Sequence, residues 1–205
     1  MEGKKKIIIA VVCIIVASVA IGFIYDAVMN RAEAKDYPRE YPKDYLLDHP
    51  NCLPLSEHVE KWAKEYGVPE YIVYSVIKAE SDFDPNTVSS ADAVGLMQIR
   101  AAESSNTFEY IAGMVGDKYD PSLHFDPNTN IKYGTYYLSY LYSRFDNWST
   151  VFAAYNGGEG NVSKWLKDPT CSLDGKTLYR IPFKETRDYV KKVNGYCKAY
   201  RRLYY

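Results

Sequence analysis

An apolar run near the start of the chain gives the first prediction. Residues 7–24 carry no charged side chain, and a helix of that length, at about 1.5 Å per residue, just spans a bilayer core of roughly 30 Å. Three lysines at positions 4–6 precede the run, whereas charges of both signs follow it, so the positive-inside rule keeps the N-terminus in the cytoplasm. Residues 1–25 are therefore predicted to form a cytoplasmic tip and a single transmembrane helix, with the rest of the chain outside the membrane.

A polar stretch with three prolines follows the apolar run and shows no sustained apolar period. This pattern is typical of a semi-extended linker, so residues 26–53 are predicted to connect the anchor to an extracytoplasmic domain. A cleaved signal peptide is the alternative, because residues 32–34 offer an Ala-Glu-Ala cleavage site. That site lies far beyond the apolar run, which favours a retained anchor.

Helical periodicity governs residues 54–205. Apolar side chains recur there at spacings of three and four, and no stretch alternates convincingly between apolar and polar residues. The predicted helices are one ending before Gly67, one from Pro69 to near Glu80, one or two short ones between Gly95 and Met114, a long one from Pro127, one from Asn147 to Asn156, a short one around Trp165 and a last one from about Glu185. These helices predict an all-α domain with no sheet.

Composition and charge exclude one class of partner. The chain has 205 residues with 25 basic and 26 acidic side chains, and a net charge of -1 gives no basic footprint for a nucleic-acid backbone. Its 21 tyrosines outnumber the 7 phenylalanines. Tyrosine combines a flat apolar face with a hydroxyl, which suits either a groove for sugar rings or the half-buried edge of a small helical core.

Cysteine and histidine positions predict no metal site and no cofactor. The three histidines are scattered without ligand spacing. Cys52, Cys171 and Cys197 follow the predicted anchor, and in an oxidising compartment any two of them could pair, or all three could stay free.

Glu80 is the carboxylate that best fits acid chemistry. It ends a predicted helix directly after an apolar run, and both the negative end of a helix and apolar neighbours disfavour the ionised form. A carboxylic acid kept protonated near neutral pH is what a general acid for glycosidic cleavage requires. The alternative is an exposed glutamate at a helix end. Asp82 and Asp84 lie close enough along the chain to supply the second carboxylate that hydrolytic glycosidases use.

Five short blocks accompany Glu80 in a fixed order. They are Glu80-Ser81, Gly95-Leu96-Met97-Gln98-Ile99, Asn130-Ile131 with Gly134 and Tyr137-Leu138, Ala153-Ala154-Tyr155-Asn156-Gly157, and Ile181-Pro182-Phe183 with Glu185-Thr186-Arg187 and Tyr189-Val190. In this order and spacing, over roughly residues 54 to 202, the chain resembles the lytic transglycosylase family with a catalytic domain of the soluble murein transglycosylase type. The resemblance implies a lysozyme-like α fold.

The resemblance also implies roles for matching positions. Glu80 matches the single catalytic acid/base of the family. The positions that match substrate-binding or site-lining residues are Ser81, Ser89, Met97, Gln98, Tyr155, Asn156, Glu185 and Tyr189. The implied substrate is the glycan strand of peptidoglycan. The implied reaction closes the muramoyl 6-hydroxyl onto C1 to give a 1,6-anhydro end, so it needs neither water nor a second carboxylate.

Three departures from the family pattern keep other functions open. Asp92 replaces a usual glycine, Arg100-Ala101 replaces methionine and proline, and Glu159 replaces a common proline. The first alternative is a hydrolase of goose-type lysozyme character, in which Asp82, Asp84, Asp92 or Glu159 activates water. The second is a non-catalytic wall-binding protein on the same fold.

Overall fold

The computed structural model describes residues 55–204, with side chains described as far as Arg202. The predicted anchor and linker, residues 1–53, lie outside this part of the chain, as does Cys52. Within residues 55–204, no helix is both long enough and apolar enough to cross a bilayer.

Seven α-helices make up most of the described chain. They are α1 (Ser56–Tyr66), α2 (Glu70–Glu80), α3 (Thr107–Val115), α4 (Pro127–Phe145), α5 (Trp148–Gly157), α6 (Glu159–Trp165) and α7 (Lys184–Tyr204). The long helix begins where the sequence predicts, because Asp126 accepts a hydrogen bond from the Thr129 amide and Pro127 occupies the first turn. Asn147 caps α5 in the same way through the Thr150 amide.

A small antiparallel sheet corrects the all-α prediction. Its strands are β1 (Ala93–Val94), β2 (Ile99–Ala102) and β3 (Ser105–Asn106), in the order β1-β2-β3. Residues 95–106 were predicted to be helical, but Gly95 and Gln98 adopt φ values of 76° and 47°, which no α-helix accepts. Helix α3 begins only after Asn106, whose side chain caps it. Strands of two to four residues are too short to show an alternating pattern, so periodicity does not predict them.

The core forms where the helices cross. Helix α7 packs against α2 and α5, while α4 packs against α1, α3 and α5. Fully buried side chains from several helices fill the space between them, among them Val76, Ile111, Leu138, Val151 and Val193. This packing brings α2 against α7.

The two cysteines in the described chain are not bonded to each other. Cys171 is a buried free thiol and Cys197 is a partly buried one. Burial raises the pKa of the Cys197 thiol to about 11, so it stays protonated near neutral pH. The structure therefore offers no Cys171–Cys197 disulfide.

Candidate active site

Glu80 is the last residue of α2, and its carboxyl group lies in a partly buried position. Residues 72–78, which precede it, are all buried, so the helix end is held against the core. The pKa of Glu80 is raised from 4.5 to about 7, mainly because the carboxyl group is removed from water and to a smaller extent because of the negative charge of Glu185. Interactions with the Tyr189 hydroxyl and with Lys192 act in the opposite direction and are weaker than the effect of burial.

Two tyrosines flank this carboxyl group from different helices. Tyr155 lies on α5 and Tyr189 on α7, and the charge of Glu80 contributes to the pKa of each hydroxyl. Burial is the larger cause, and it raises the pKa of both tyrosines well above the ordinary value. Both hydroxyls therefore stay protonated at neutral pH and act as hydrogen-bond donors rather than as bases.

The two hydroxyls differ in how they are bonded. The Tyr155 hydroxyl donates to the Met97 carbonyl oxygen at 2.8 Å, which fixes α5 to the turn between β1 and β2. The Tyr189 hydroxyl oxygen is buried and makes no hydrogen bond of ordinary length within the described residues. It therefore keeps a donor that Glu80 or a bound sugar can use.

Lys192 holds the last turn of α2 in place. It lies one helical turn beyond Tyr189 on α7, and its ammonium group donates to the Ala79 carbonyl oxygen at 2.7 Å. Its positive charge lowers the pKa of Glu80. Sequence reasoning missed this residue, although a lysine three positions after a site tyrosine on a predicted helix shares its face.

The turn between β1 and β2 forms the wall beside Glu80. The Ser81 hydroxyl donates to the Leu96 carbonyl oxygen at 2.9 Å, which joins the residue after Glu80 to this turn. Asn130 of α4 accepts from the Met97 amide at 2.8 Å and donates to the Val94 carbonyl oxygen at 3.0 Å. Gly95 is required here, because a side chain at that position would collide with Asn130.

The side chains of Met97 and Gln98 make most of their contacts within the protein, where they support the turn beside Glu80. The Met97 side chain is fully buried and packs closely against Gly134, where a Cβ atom would collide with it. The Gln98 side-chain amide donates to the carbonyl oxygens of Thr87 and Gly95, both at 2.9 Å. These contacts hold the turn in its left-handed conformation.

The remaining predicted site residues lie in varied surroundings. The Ser89 hydroxyl accepts from the amides of Ala91 at 3.2 Å and Ala93 at 3.1 Å, so it shapes the loop before β1. Asn156 is partly buried next to Tyr155 near the end of α5. Glu185 is exposed in the first turn of α7, near enough for its charge to act on Glu80.

The four other carboxylates that could activate water in a hydrolase are exposed or engaged with other partners. Asp82 pairs with Lys78, and Asp84 accepts from the Asn86 amide at 2.9 Å in an exposed turn. Asp92 is exposed in the turn before β1, and Glu159 lies 3.5 Å from Arg144. Within residues 55–202, no three acidic, histidine or cysteine side chains are placed to hold a metal ion.

Comparison with known proteins identifies the family. The family model described as "Transglycosylase SLT domain" matches residues 57–174, which is more than half of the chain. The chain belongs to the transglycosylase SLT domain family. The matched residues include Glu80, the β1–β2 turn and Tyr155, while α7 with Tyr189 and Lys192 follows them.

Curated relatives of this SLT-domain chain carry consistent names. The soluble lytic murein transglycosylase of Escherichia coli (strain K12) is 36% identical over 152 residues, covering 73% of this chain and 23% of the relative. The membrane-bound lytic murein transglycosylase C of Serratia proteamaculans is 33% identical over 178 residues, covering 75% of this chain and 49% of the relative. The chain thus spans a quarter to a half of the length of these relatives.

Solved structures show the same fold. An inactive mutant of the lytic transglycosylase Slt from Pseudomonas aeruginosa matches with a TM-score of 0.65 and 26% identity, over 91% of this chain and 29% of that one. The 70 kDa soluble lytic transglycosylase of Escherichia coli matches with a TM-score of 0.62 and 31% identity, over 78% of this chain and 26% of that one. The SLT-domain chain therefore has the mostly helical, lysozyme-like transglycosylase fold that the resemblance implied.

Proposed function

We propose that this chain is a peptidoglycan lytic transglycosylase. It breaks the β-1,4 bond from N-acetylmuramic acid to N-acetylglucosamine and leaves a 1,6-anhydro end. The observation that carries the proposal is the burial of the Glu80 carboxyl group at the end of α2, which raises its pKa to about 7. Such a group is protonated in a large fraction of molecules near neutral pH, so it can act first as an acid and then as a base. The names of the curated relatives support the same substrate.

Protonated Glu80 performs the first half of the reaction. It donates its proton to the oxygen that joins the two sugars, and the bond from that oxygen to C1 of the muramoyl residue breaks with its electron pair on the oxygen. Positive charge develops at C1 as the bond lengthens. The Glu80 carboxylate formed in this step and the acetamido group of the sugar stabilise that charge.

Deprotonated Glu80 performs the second half. It accepts the proton of the muramoyl 6-hydroxyl, whose oxygen forms a new bond to C1 and closes the anhydro ring. The proton returns to Glu80, so the enzyme is regenerated without the addition of water. Because the nucleophile belongs to the same sugar, its effective concentration is high and no second carboxylate is needed.

The residues around Glu80 orient it and the substrate. The Tyr189 hydroxyl, which interacts with Glu80, and the fixed Tyr155 hydroxyl place two neutral polar groups beside the carboxyl group. Glu185 favours the protonated form, and Lys192 limits how far the pKa rises. We assign substrate contacts to Asn156 and Ser89, and a role in supporting the wall to Ser81, Met97 and Gln98.

Product mass tests this function directly. Purified peptidoglycan is digested with the protein in water enriched in heavy oxygen, and the released muropeptides are analysed by mass spectrometry. We expect fragments one water lighter than hydrolysis products, with no heavy oxygen at the new end. Reducing ends that carry heavy oxygen would replace the proposal with a hydrolase. Binding without any release would replace it with a wall-binding protein.

We also propose that residues 1–25 anchor the chain in the cell membrane with the catalytic domain outside. The apolar run supports this, as does the name of the relatives called membrane-bound lytic murein transglycosylase C. After cell fractionation, we expect the full-length protein in the membrane fraction, resistant to an alkaline wash and digested by protease added from outside. Release by the wash, or a mature mass that lacks the first residues, would contradict a retained anchor.

A further inference from the structure

We propose that the outer side of α7 binds the negatively charged surface of a lipid bilayer, so that the catalytic domain lies on the membrane. This surface, called the basic face below, consists of Arg187, Lys191, Lys198, Arg201 and Arg202. Its partner is a layer of phospholipid headgroups that carry anionic phosphates. The inference rests on the proposed membrane anchor, because the anchor keeps the basic face close to a bilayer.

Charge is distributed unevenly between α7 and the rest of the chain. Helix α7 carries seven basic and two acidic side chains, whereas the whole chain has a net charge of -1. The two acidic residues, Glu185 and Asp188, lie in the first turns of the helix, and no acidic residue follows them in α7. Positive charge is therefore concentrated on one helix of a chain that is otherwise acidic.

Helical spacing brings the basic face together on one side of α7. At 3.6 residues per turn its five members fall within a sector about 100° wide, and they extend over about 22 Å of the helix. Lys191 is partly exposed and the other four are exposed.

The opposite side of α7 is buried in the domain. Tyr189, Val193 and Tyr200 lie there, and Tyr189 is the residue that approaches Glu80. A partner on the basic face therefore does not cover Tyr189, and a glycan strand and a bilayer can be bound at the same time.

Repulsion within the basic face argues against a purely structural role. Arg187 and Lys191 are four residues apart, as are Lys198 and Arg202, and like charges at this spacing destabilise a helix. A helix face that is merely solvated usually mixes the two signs. An external layer of negative charge would remove the repulsion.

Other features of α7 leave most of this charge unexplained. The Asp188 carboxylate is engaged by Lys184, which donates to it at 2.6 Å from outside the basic face. The negative end of the helix favours Arg201 and Arg202, but this effect falls off within the last turn. The three earlier members of the basic face gain nothing from it.

The shape and chemistry of the basic face fit an extended anionic surface. Guanidinium and ammonium groups donate charge-assisted hydrogen bonds to phosphate oxygens. A row of cations on one straight helix contacts a plane of headgroups along its length, and basic rows on amphipathic helices are typical of binding to anionic lipid. Because the apolar side of α7 is occupied by the core, we expect contact by charge without insertion.

The predicted linker favours a bilayer over a soluble polyanion as the partner. A flexible chain as long as residues 26–53 spans on the order of 30 Å, which is about the diameter of a small domain. The anchor would therefore hold the basic face at a high effective concentration beside the bilayer. Several weak charge contacts are sufficient under that condition.

Chemical labelling of lysines in lipid vesicles tests the basic face. The full-length protein is reconstituted into vesicles of phosphatidylcholine alone or of phosphatidylcholine and phosphatidylglycerol in equal parts. It is then treated briefly with a reagent that acylates amines, and labelling at each lysine is measured by peptide mass spectrometry. In the anionic vesicles, labelling of Lys191 and Lys198 is expected to fall severalfold, because headgroups cover them. High salt is expected to restore it, since salt screens exposed charges.

Lysines on another helix serve as controls within the same sample. Lys61 and Lys64 are exposed on α1, and their labelling is expected to be equal in the two kinds of vesicle. Arg201→Gln combined with Arg202→Gln is expected to remove most of the protection of the basic-face lysines. Lys61→Gln combined with Lys64→Gln removes the same number of charges from α1 and is expected to leave that protection intact.

Three results would overturn the basic face. The first is equal labelling of Lys191 and Lys198 in the two kinds of vesicle. The second is protection that the double arginine variant retains in full. The third is protection by soluble polyphosphate but not by anionic vesicles, which would replace the bilayer with a linear anionic polymer.

Failure of the basic face differs from failure of the proposed anchor. Protein that floats with neutral vesicles but shows no protection in anionic vesicles would support the anchor and overturn the basic face. Protein that floats only with anionic vesicles, and is protected there, would do the reverse. The product-mass experiment depends on neither result.

Discussion

Glu80 and Asp82 lie two residues apart on the chain, yet they occupy contrasting surroundings. Glu80 ends α2 near Tyr155 of α5 and Tyr189 of α7, and burial raises its pKa to about 7. The Asp82 side chain is 65% exposed and pairs with Lys78, one helical turn back. The difference shows that two carboxylates close together in sequence can differ widely in their access to water. Burial of the side chain at the end of α2 is the feature that favours the protonated form of Glu80.

The largest expected effect separates these two carboxylates directly. Glu80→Gln keeps the shape of the side chain but removes its proton, so the cleavage rate should fall by about 10²–10⁴. Asp82→Asn should change the rate by no more than about twofold, because an exposed group at that position contributes little. Release of soluble fragments from peptidoglycan measures both. Comparable losses of cleavage rate in the two variants would contradict the different roles of Glu80 and Asp82.

The wall beside Glu80 supplies a second test. Asn130→Ala removes the side chain that bonds to the Met97 amide and the Val94 carbonyl, and so leaves buried backbone groups without partners. The free energy of unfolding should fall by roughly 3 kcal/mol. Asn86→Ala, in the exposed loop, is the matched control and should leave it nearly unchanged. Urea unfolding measures both variants, and equal stabilities would show that the wall does not depend on Asn130.

The raised pKa of Glu80 also predicts a pH dependence of stability. The folded state binds this proton more tightly than the unfolded chain, whose carboxyl group has a pKa of 4.5. The contribution of Glu80 to stability is therefore complete below pH 4.5 and is lost as the pH rises to about 7.

Glu80→Gln should abolish that loss, since glutamine does not titrate. Relative to the parent, the variant should gain roughly 3 kcal/mol of stability between pH about 4 and pH about 8. Asp84→Asn, in the exposed turn, is the control, and its stability should change with pH more nearly as that of the parent does than the stability of Glu80→Gln. A constant difference between Glu80→Gln and the parent at all pH values would contradict a raised pKa.

The smallest expected effect concerns Lys192. Lys192→Met removes a charge that lowers the pKa of Glu80, so activity should persist to higher pH, with the basic limb shifted by less than about one unit. Lys192→Arg keeps the charge and should restore the profile. Lys164→Met, which removes a lysine of α6, should leave the profile unchanged. A fall in rate without a shift would assign Lys192 a purely structural role.

The sequence predicts most of the helical framework from local patterns, whereas Glu80 stands out as a candidate acid only through the ordered blocks that resemble a family. An apolar run that ends in a carboxylate predicts the end of α2, and Asp126 with Pro127 predicts the start of α4. The β1–β2 turn could not be predicted in this way. Its shape depends on Asn130, which lies more than thirty residues further along the chain.

The contributions of α7 were predicted in part. Tyr189 and Glu185 follow from the resemblance to a family, whereas nothing in the local pattern indicates that Lys192 reaches Ala79. That contact joins positions 113 residues apart, so it exists only once α7 has packed on α2. Burial of Met97 and the use of the Gln98 amide within the turn likewise depend on tertiary packing.

Direct titration of Glu80 is the most decisive measurement. Glutamate carboxyl carbons are labelled with carbon-13, and the signal lost in Glu80→Gln identifies the resonance of Glu80. Its chemical shift is then followed against pH in the absence of substrate. A midpoint near pH 7 is the predicted result. A midpoint near the ordinary value of 4.5 would contradict the claim that burial at the end of α2 prepares Glu80 to act as an acid.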